Sequence, residues 1–232
     1  MNVEDVAQNV AVVRSRIAQA CERSGRAPST VTLVAVTKTV DLPHIRAVIR
    51  AGVKDLGENY VQEALTKVGD LELGDAAIHW HFIGHLQRNK VREIIGRFAL
   101  IHSVDSLALA TEIGRRAADI GATADLLLEV KLDPIATKFG LTPEQTLATA
   151  QAVLDIPGVR LCGLMGMAPF GSIPEAARPA FRTLRTLFDQ LPTEARRILS
   201  MGMSSDFEVA IEEGATMVRI GTALFGKRPP PD

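Results

Sequence analysis

Val31-Thr32-Leu33-Val34-Ala35-Val36-Thr37-Lys38-Thr39 is an almost unbroken β-branched and apolar run that stops at a lysine between two threonines. A run of that kind reads as a buried strand. Asp41-Leu42-Pro43 follows, with a capping side chain and a proline suited to the first turn of a helix, and then a second apolar run, Val53–Leu56. Run, helix and run make one strand–helix–strand unit, and a crossover helix forces the two strands to lie parallel.

The same unit recurs to the end of the chain. Further strand-like runs are Ile78–Ile83, Ala99–Ser103, Leu126–Leu132, Val159–Met167, Ile198–Met201 and Thr216–Ile220. Helices are expected from near Asn59, Leu86, Asp105, Thr142, Pro174 and Asp206, with a short last turn after Thr222. Thr142-Pro143-Glu144 combines a capping hydroxyl, a first-position proline and an acidic first turn. Ahead of the first strand, Val6, Val10, Val13, Ile17 and Ala20 keep a helical rhythm, with Gly25 placed to end it. Eight strands alternating with helices predict an α/β fold, a single (β/α)8 TIM barrel with an extra N-terminal helix. An open doubly wound sheet is the structural alternative. No Pro/Gly/Ser-rich linker interrupts the chain, so residues 1–232 are expected to form one domain. Its core spans about 31–226, its N-terminal helix about 3–24, and the tail 227–232 is expected to fray.

Composition narrows the function classes. Apolar residues make up 47% of the chain, enough for a sizeable core. The 26 basic and 27 acidic side chains are scattered, without the basic stripe that nucleic acid requires. Aromatics, at 4%, are too few for a base-stacking platform. Cys21 and Cys162 lack metal-ligand spacing and read as reduced core thiols. The opening Met1-Asn2-Val3-Glu4-Asp5 has no signal-peptide character, and no apolar run reaches membrane-spanning length. A cytoplasmic protein with no membrane partner is expected.

In a barrel, chemistry belongs at the carboxyl ends of the strands. A lysine at a strand end more often only reaches solvent. Here, however, Thr216–Ile220 places Arg219 beside Gly221-Thr222 at another strand end, and Met203-Ser204-Ser205-Asp206 follows strand seven. An amine nucleophile, a fixed cation and backbone N–H donors would suit an aldehyde cofactor that carries a phosphate. Ser204-Ser205-Asp206 would serve equally well as a plain helix cap. His79 and His81 share one face of a strand, with His85 and His102 close by, so a metal-dependent barrel hydrolase is a rival. Arg219, where that class would need a carboxylate, speaks against it.

These motifs resemble the pyridoxal phosphate homeostasis protein family, single-domain relatives of the alanine racemase N-terminal barrel. The resemblance runs from about Val31 to Gly226. It rests on Val34-Ala35-Val36-Thr37-Lys38-Thr39, on Leu56-Gly57-Glu58-Asn59-Tyr60, and on His79-Trp80-His81-Phe82-Ile83-Gly84-His85-Leu86-Gln87-Arg88-Asn89-Lys90. Gly163-Leu164-Met165, Met201-Gly202-Met203-Ser204 and Met217-Val218-Arg219-Ile220-Gly221-Thr222 continue it. The resemblance implies that Lys38 holds pyridoxal 5′-phosphate (PLP) as a Schiff base, the internal aldimine. It also implies that Arg219 faces the pyridine nitrogen, that Ser204, Gly221 and Thr222 hold the phosphate, and that Asn59 lines the pocket. It suggests a monomer, with PLP-dependent apoenzymes as partners; no catalytic residue and no metal are assigned.

One departure concerns catalysis. Lys131-Leu132-Asp133 through Lys138-Phe139-Gly140 has the spacing of a racemase segment that presents an arginine near the substrate carboxylate. Lys138 stands in that place and cannot make the bidentate clamp. Racemases take a second base, a tyrosine, from a further domain, whereas Tyr60 is this chain's one tyrosine and belongs to the Glu-Asn-Tyr motif. The expected function is therefore PLP binding in intracellular PLP homeostasis without robust catalysis. A PLP-dependent amino-acid racemase is the alternative.

Overall fold

The apolar runs become strands β1 Thr32–Val36, β2 Asp55–Glu58, β3 His79–Phe82, β4 Leu100–Val104, β5 Ala124–Lys131, β6 Val159–Met167, β7 Ile198–Ser200 and β8 Met217–Ile220. This computed structural model describes residues 2–71, 78–133, 139–169, 171 and 173–227. Every neighbouring pair is parallel, and β8 returns to β1 with Val34 opposite Arg219, closing the sheet into a barrel in sequence order. The open-sheet alternative falls on that last pairing. Between the strands lie helices α1 Asp5–Arg23, α2 Leu42–Arg50, α3 Val61–Leu71, α4 Val91–Ile94, α5 Leu107–Asp119, α6 Pro143–Leu154, α7 Arg178–Asp189, α8 Phe207–Glu212 and α9 Thr222–Phe225.

Local chemistry explains the boundaries. The Asp41 side chain accepts from His44 N to start α2, and Thr142 and Gln145 form a reciprocal capping box on α6. Two helices start later than expected. The helix anticipated from Leu86 is a 3-10 turn, Arg88–Lys90, followed by the four-residue α4, and Gly96, at φ 79°, turns the chain away just beyond it. The helix anticipated from Pro174 begins as a 3-10 turn, and α7 starts at Arg178, where Pro179 fits the first turn. Of the tail expected to fray, residues 228–232 lie outside the described residues.

Strand side chains alternate between two cores. The larger lies between strands and helices. The smaller, with Val34, Leu100, Leu127, Cys162, Met165 and Met217, plugs the barrel. Both cysteines are free and buried. The extra helix α1 packs on α2, α8 and α9, burying Val6, Val10, Val13 and Ile17. Each such side chain contributes about 1.5–3 kcal/mol when removed from water. Polar contacts fix its register: Arg16 makes two 2.8 Å hydrogen bonds to Glu208, and Asn9 donates to Leu224 O. No described helix is long and apolar enough to cross a membrane.

Candidate functional site

Closure of the barrel makes β7, β8, β1 and β2 consecutive neighbours. Their carboxyl ends carry Ser204, Arg219 with Gly221 and Thr222, Lys38, and Asn59 in turn, so the residues singled out in the sequence share one side of the mouth.

Lys38 follows directly on β1 and is half-buried. The backbone on either side of it is pinned. Thr37 N donates to Gly57 O, and Thr37 Oγ1 donates to the buried Glu58 Oε1 at 2.5 Å. Lys67 Nζ, buried on α3, donates to Thr37 O at 2.6 Å, to Glu58 Oε1 at 2.9 Å and to Glu63 Oε1 at 2.6 Å. Glu63 Oε1 also accepts from Thr39 N at 2.6 Å, and Thr39 sits at φ 56°, the one left-handed non-glycine residue described. Burial pushes the Glu58 carboxyl above its ordinary value despite the nearby Lys67 and Thr37. Sequence reasoning assigned no role to Glu58, Glu63 or Lys67. The four-residue Glu63–Lys67 spacing on a helix was the available signal.

Arg219 is 4% exposed. Its Nη1 donates to Ser200 Oγ at 2.7 Å and its Nη2 to Gly166 O at 3.2 Å. Burial lowers its pKa to about 10, opposed by the charges of Glu129 and Asp206. Glu129, on β5, is raised to about 7 by burial, with Asp105 adding to the effect and Arg219 opposing it.

Ser204 Oγ accepts from Ala223 N at 3.1 Å, which joins the loop after β7 to the first turn of α9. That loop is a tight turn. Asp206 Oδ1 accepts from Met203 N at 2.6 Å, and Gly202 takes φ 93°, where a Cβ would stand 2.6 Å from Ala210 Cβ. The opening N–H groups of α9 have no intrahelical acceptor, and Ala223 N is met by the Ser204 hydroxyl. At the end of β2, Asn59 Oδ1 is buried without a hydrogen-bond partner. Its backbone is pressed by Gly84, where a Cβ would fall 2.1 Å from Asn59 O.

The histidines part company. His79 is exposed at the amino end of β3 beside Asp55, whereas His81 is buried between Asp55 Oδ1 and His102, 3.0 Å from each. His85 lies on the mouth side, stacked on Phe139 with ring centroids 3.5 Å apart. Among the described residues no group of three or more His, Cys, Asp or Glu side chains could hold a metal ion. Lys131 ends β5, and Lys138 lies outside the described residues.

The chain has clear relatives among known proteins. Residues 2–229 match the family model for the alanine racemase N-terminal domain. The chain is 48% identical to the pyridoxal phosphate homeostasis protein of Aquifex aeolicus, covering 93% of this chain and 95% of that one. It is 44% identical to the protein of the same name from Pseudomonas aeruginosa, covering 96% of each. Among solved structures, PipY of Synechococcus elongatus PCC7942 with PLP bound superposes with a TM-score of 0.82 at 39% identity, covering 95% of this chain and 100% of that one. Alanine racemase of Clostridium difficile 630, in complex with cycloserine, shares the fold at a TM-score of 0.75 and 15% identity, covering 99% of this chain and 61% of that one.

Proposed function

Since the chain belongs to the pyridoxal phosphate homeostasis protein family, within the alanine racemase N-terminal domain proteins, we propose that it binds PLP at the mouth of its barrel and keeps the cofactor available in the cell. One observation carries this reading: a half-buried lysine at the end of β1 neighbours the end of β8, which carries a buried arginine and leads into the start of a short helix. The residues fit the group. When bound, PLP supplies an aldehyde that amines capture and a ring that accepts electrons. Lys38 supplies the amine, and its rigidly held backbone fixes where that amine reaches. Ser204 with the Gly221 and Thr222 backbone takes the phosphate. The unpartnered Asn59 Oδ1 is a ready acceptor for the ring hydroxyl. Arg219, a donor without acceptor capacity, faces the pyridine nitrogen and keeps it unprotonated.

The same residues limit catalysis. An arginine partner weakens the ring as an electron sink, and Tyr60, the chain's single tyrosine, is 45% exposed. The protein is thus a cytoplasmic, monomeric carrier that hands PLP to dependent apoenzymes, with negligible amino-acid turnover. The test is a visible spectrum of purified protein with PLP, followed by borohydride reduction and peptide mapping. Modification is expected at Lys38, and Lys38→Ala should lose the visible band while its circular dichroism stays native. Sustained racemisation or decarboxylation at ordinary enzymatic rates would reverse the carrier assignment.

A further inference from the structure

The barrel plug is not wholly apolar. A line of polar side chains crosses it, from Asp55 at the amino end of β2 to Arg219 below the mouth. Its links are Asp55 Oδ1 to His81 Nε2 at 3.0 Å, His81 Nδ1 to His102 Nε2 at 3.0 Å, and His102 Nδ1 to Ser200 Oγ at 3.0 Å. Arg219 Nη1 to Ser200 Oγ at 2.7 Å completes it. His81, His102, Ser200 and Arg219 are all buried.

The two ends dictate its direction. Arginine only donates and a carboxylate only accepts. With both imidazole rings neutral, Arg219 donates to Ser200, whose own proton goes to His102 Nδ1. The His102 proton then sits on Nε2 and points at His81 Nδ1, and the His81 proton on Nε2 points at Asp55. The neutral His102 of this order agrees with burial and the Arg219 charge holding that ring well below its ordinary value. Burial pushes the Asp55 carboxyl up, but side-chain hydrogen bonds from His81 and His79 help to keep it low.

We propose that Ser200, His102, His81 and Asp55 are positioning residues, a one-way hydrogen-bond chain that fixes the Arg219 guanidinium toward the cofactor ring without neutralising it. The groups that accept from Arg219 are neutral, the Ser200 hydroxyl and the Gly166 carbonyl, and the carboxylate that ends the chain is four links away. Hydrogen bonds in series polarise one another, so Ser200 becomes a stronger acceptor than an isolated serine. The guanidinium is thereby drawn away from Glu129 and Asp206, whose charges also act on it. This inference rests on the reading of Arg219 as the residue that faces the pyridine nitrogen.

The test begins on 15N-labelled protein without cofactor. Long-range proton–nitrogen spectra of the wild type should show His81 and His102 neutral with the proton on Nε2, and separately resolved Arg219 Nη signals from restricted rotation. In Ser200→Ala the His102 Nδ1 signal should move to that of an unbonded imine nitrogen and the Arg219 signals should merge, while Ser200→Thr restores both. By equilibrium dialysis Ser200→Ala should retain PLP about tenfold less tightly and Ser200→Thr within about twofold of wild type, in line with one hydrogen bond to a charged group. The visible band of the bound cofactor should shift in the alanine variant alone. Asp55→Asn, a second variant at the opposite end of the barrel that keeps the shape, should weaken retention in the same direction by about threefold. A wild-type His102 proton on Nδ1, or Arg219 signals indifferent to Ser200→Ala, would overturn the proposal. So would an unchanged affinity and band in a Ser200→Ala protein whose arginine has loosened. If wild-type protein takes up no PLP, it is the cofactor reading that fails, and the nitrogen spectra alone decide the chain.

Discussion

At the scale of residues, the site depends on side chains that do not line it. Among the described residues Lys67 is the one cation reaching Glu58 and Glu63 together, and it also holds Thr37 O, next to Lys38. Lys67→Met would leave the Glu58 carboxylate buried without its cation, and urea denaturation should show a loss of about 3–5 kcal/mol. PLP retention should fall with it, because the backbone carrying Lys38 loosens. Glu129 provides a pH signature. Its folded pKa, about 7, lies above the ordinary 4.5, so the folded state favours the neutral acid. The stability this contributes is complete below about pH 4.5 and is lost as the pH rises through 7. Glu129→Gln should flatten that decline, so that wild type loses up to about 3 kcal/mol relative to the variant between pH 4 and pH 8. The strand-end placement of Lys38, Asn59, Ser204 and Arg219 was legible in the sequence because each lies at or just after an apolar run. Ser200, His102 and Lys67 were not, because their partners are set by strand pairing and by a helix laid across two strands. Linear spacing encodes neither.

At the scale of elements, strand positions were legible almost throughout, since β-branched runs bounded by polar turns have few other uses. Helix starts were less so. After β3 the chain must first press Gly84 against Asn59, and only a 3-10 turn and the short α4 come next. That approach admits no side chain. Gly84→Ala should cost about 1–3 kcal/mol through forced displacement of the Asn59 backbone, measurable as a lower thermal midpoint. It should also weaken PLP retention, since Asn59 moves with it. The helix α1 lay outside the strand–helix alternation and was plain from its apolar rhythm, but its task was hidden. It braces α8 and α9, the helices that follow the two loops holding Ser204 and Gly221, through Arg16–Glu208 and Asn9–Leu224.

At the scale of the whole molecule, the decisive contact is the pairing of β1 with β8, which sets Val34 opposite Arg219. Alternation of strands and helices predicted a closed ring of strands, and only the register of this seam sets β1, which leads into Lys38, against β8, which carries Arg219. The seam also orders events during synthesis. A ribosome delivers the lysine near the beginning of translation and the arginine near its end, so a nascent chain displays an ordinary amine in an unfinished ring. Under the proposed reading, cofactor loading would mark a ring that has closed, and a reactive aldehyde would not be committed to chains that stall. A chain ended at residue 215, mixed with PLP, should yield scattered lysine adducts on peptide mapping after borohydride, without the preference for Lys38 expected of the full chain.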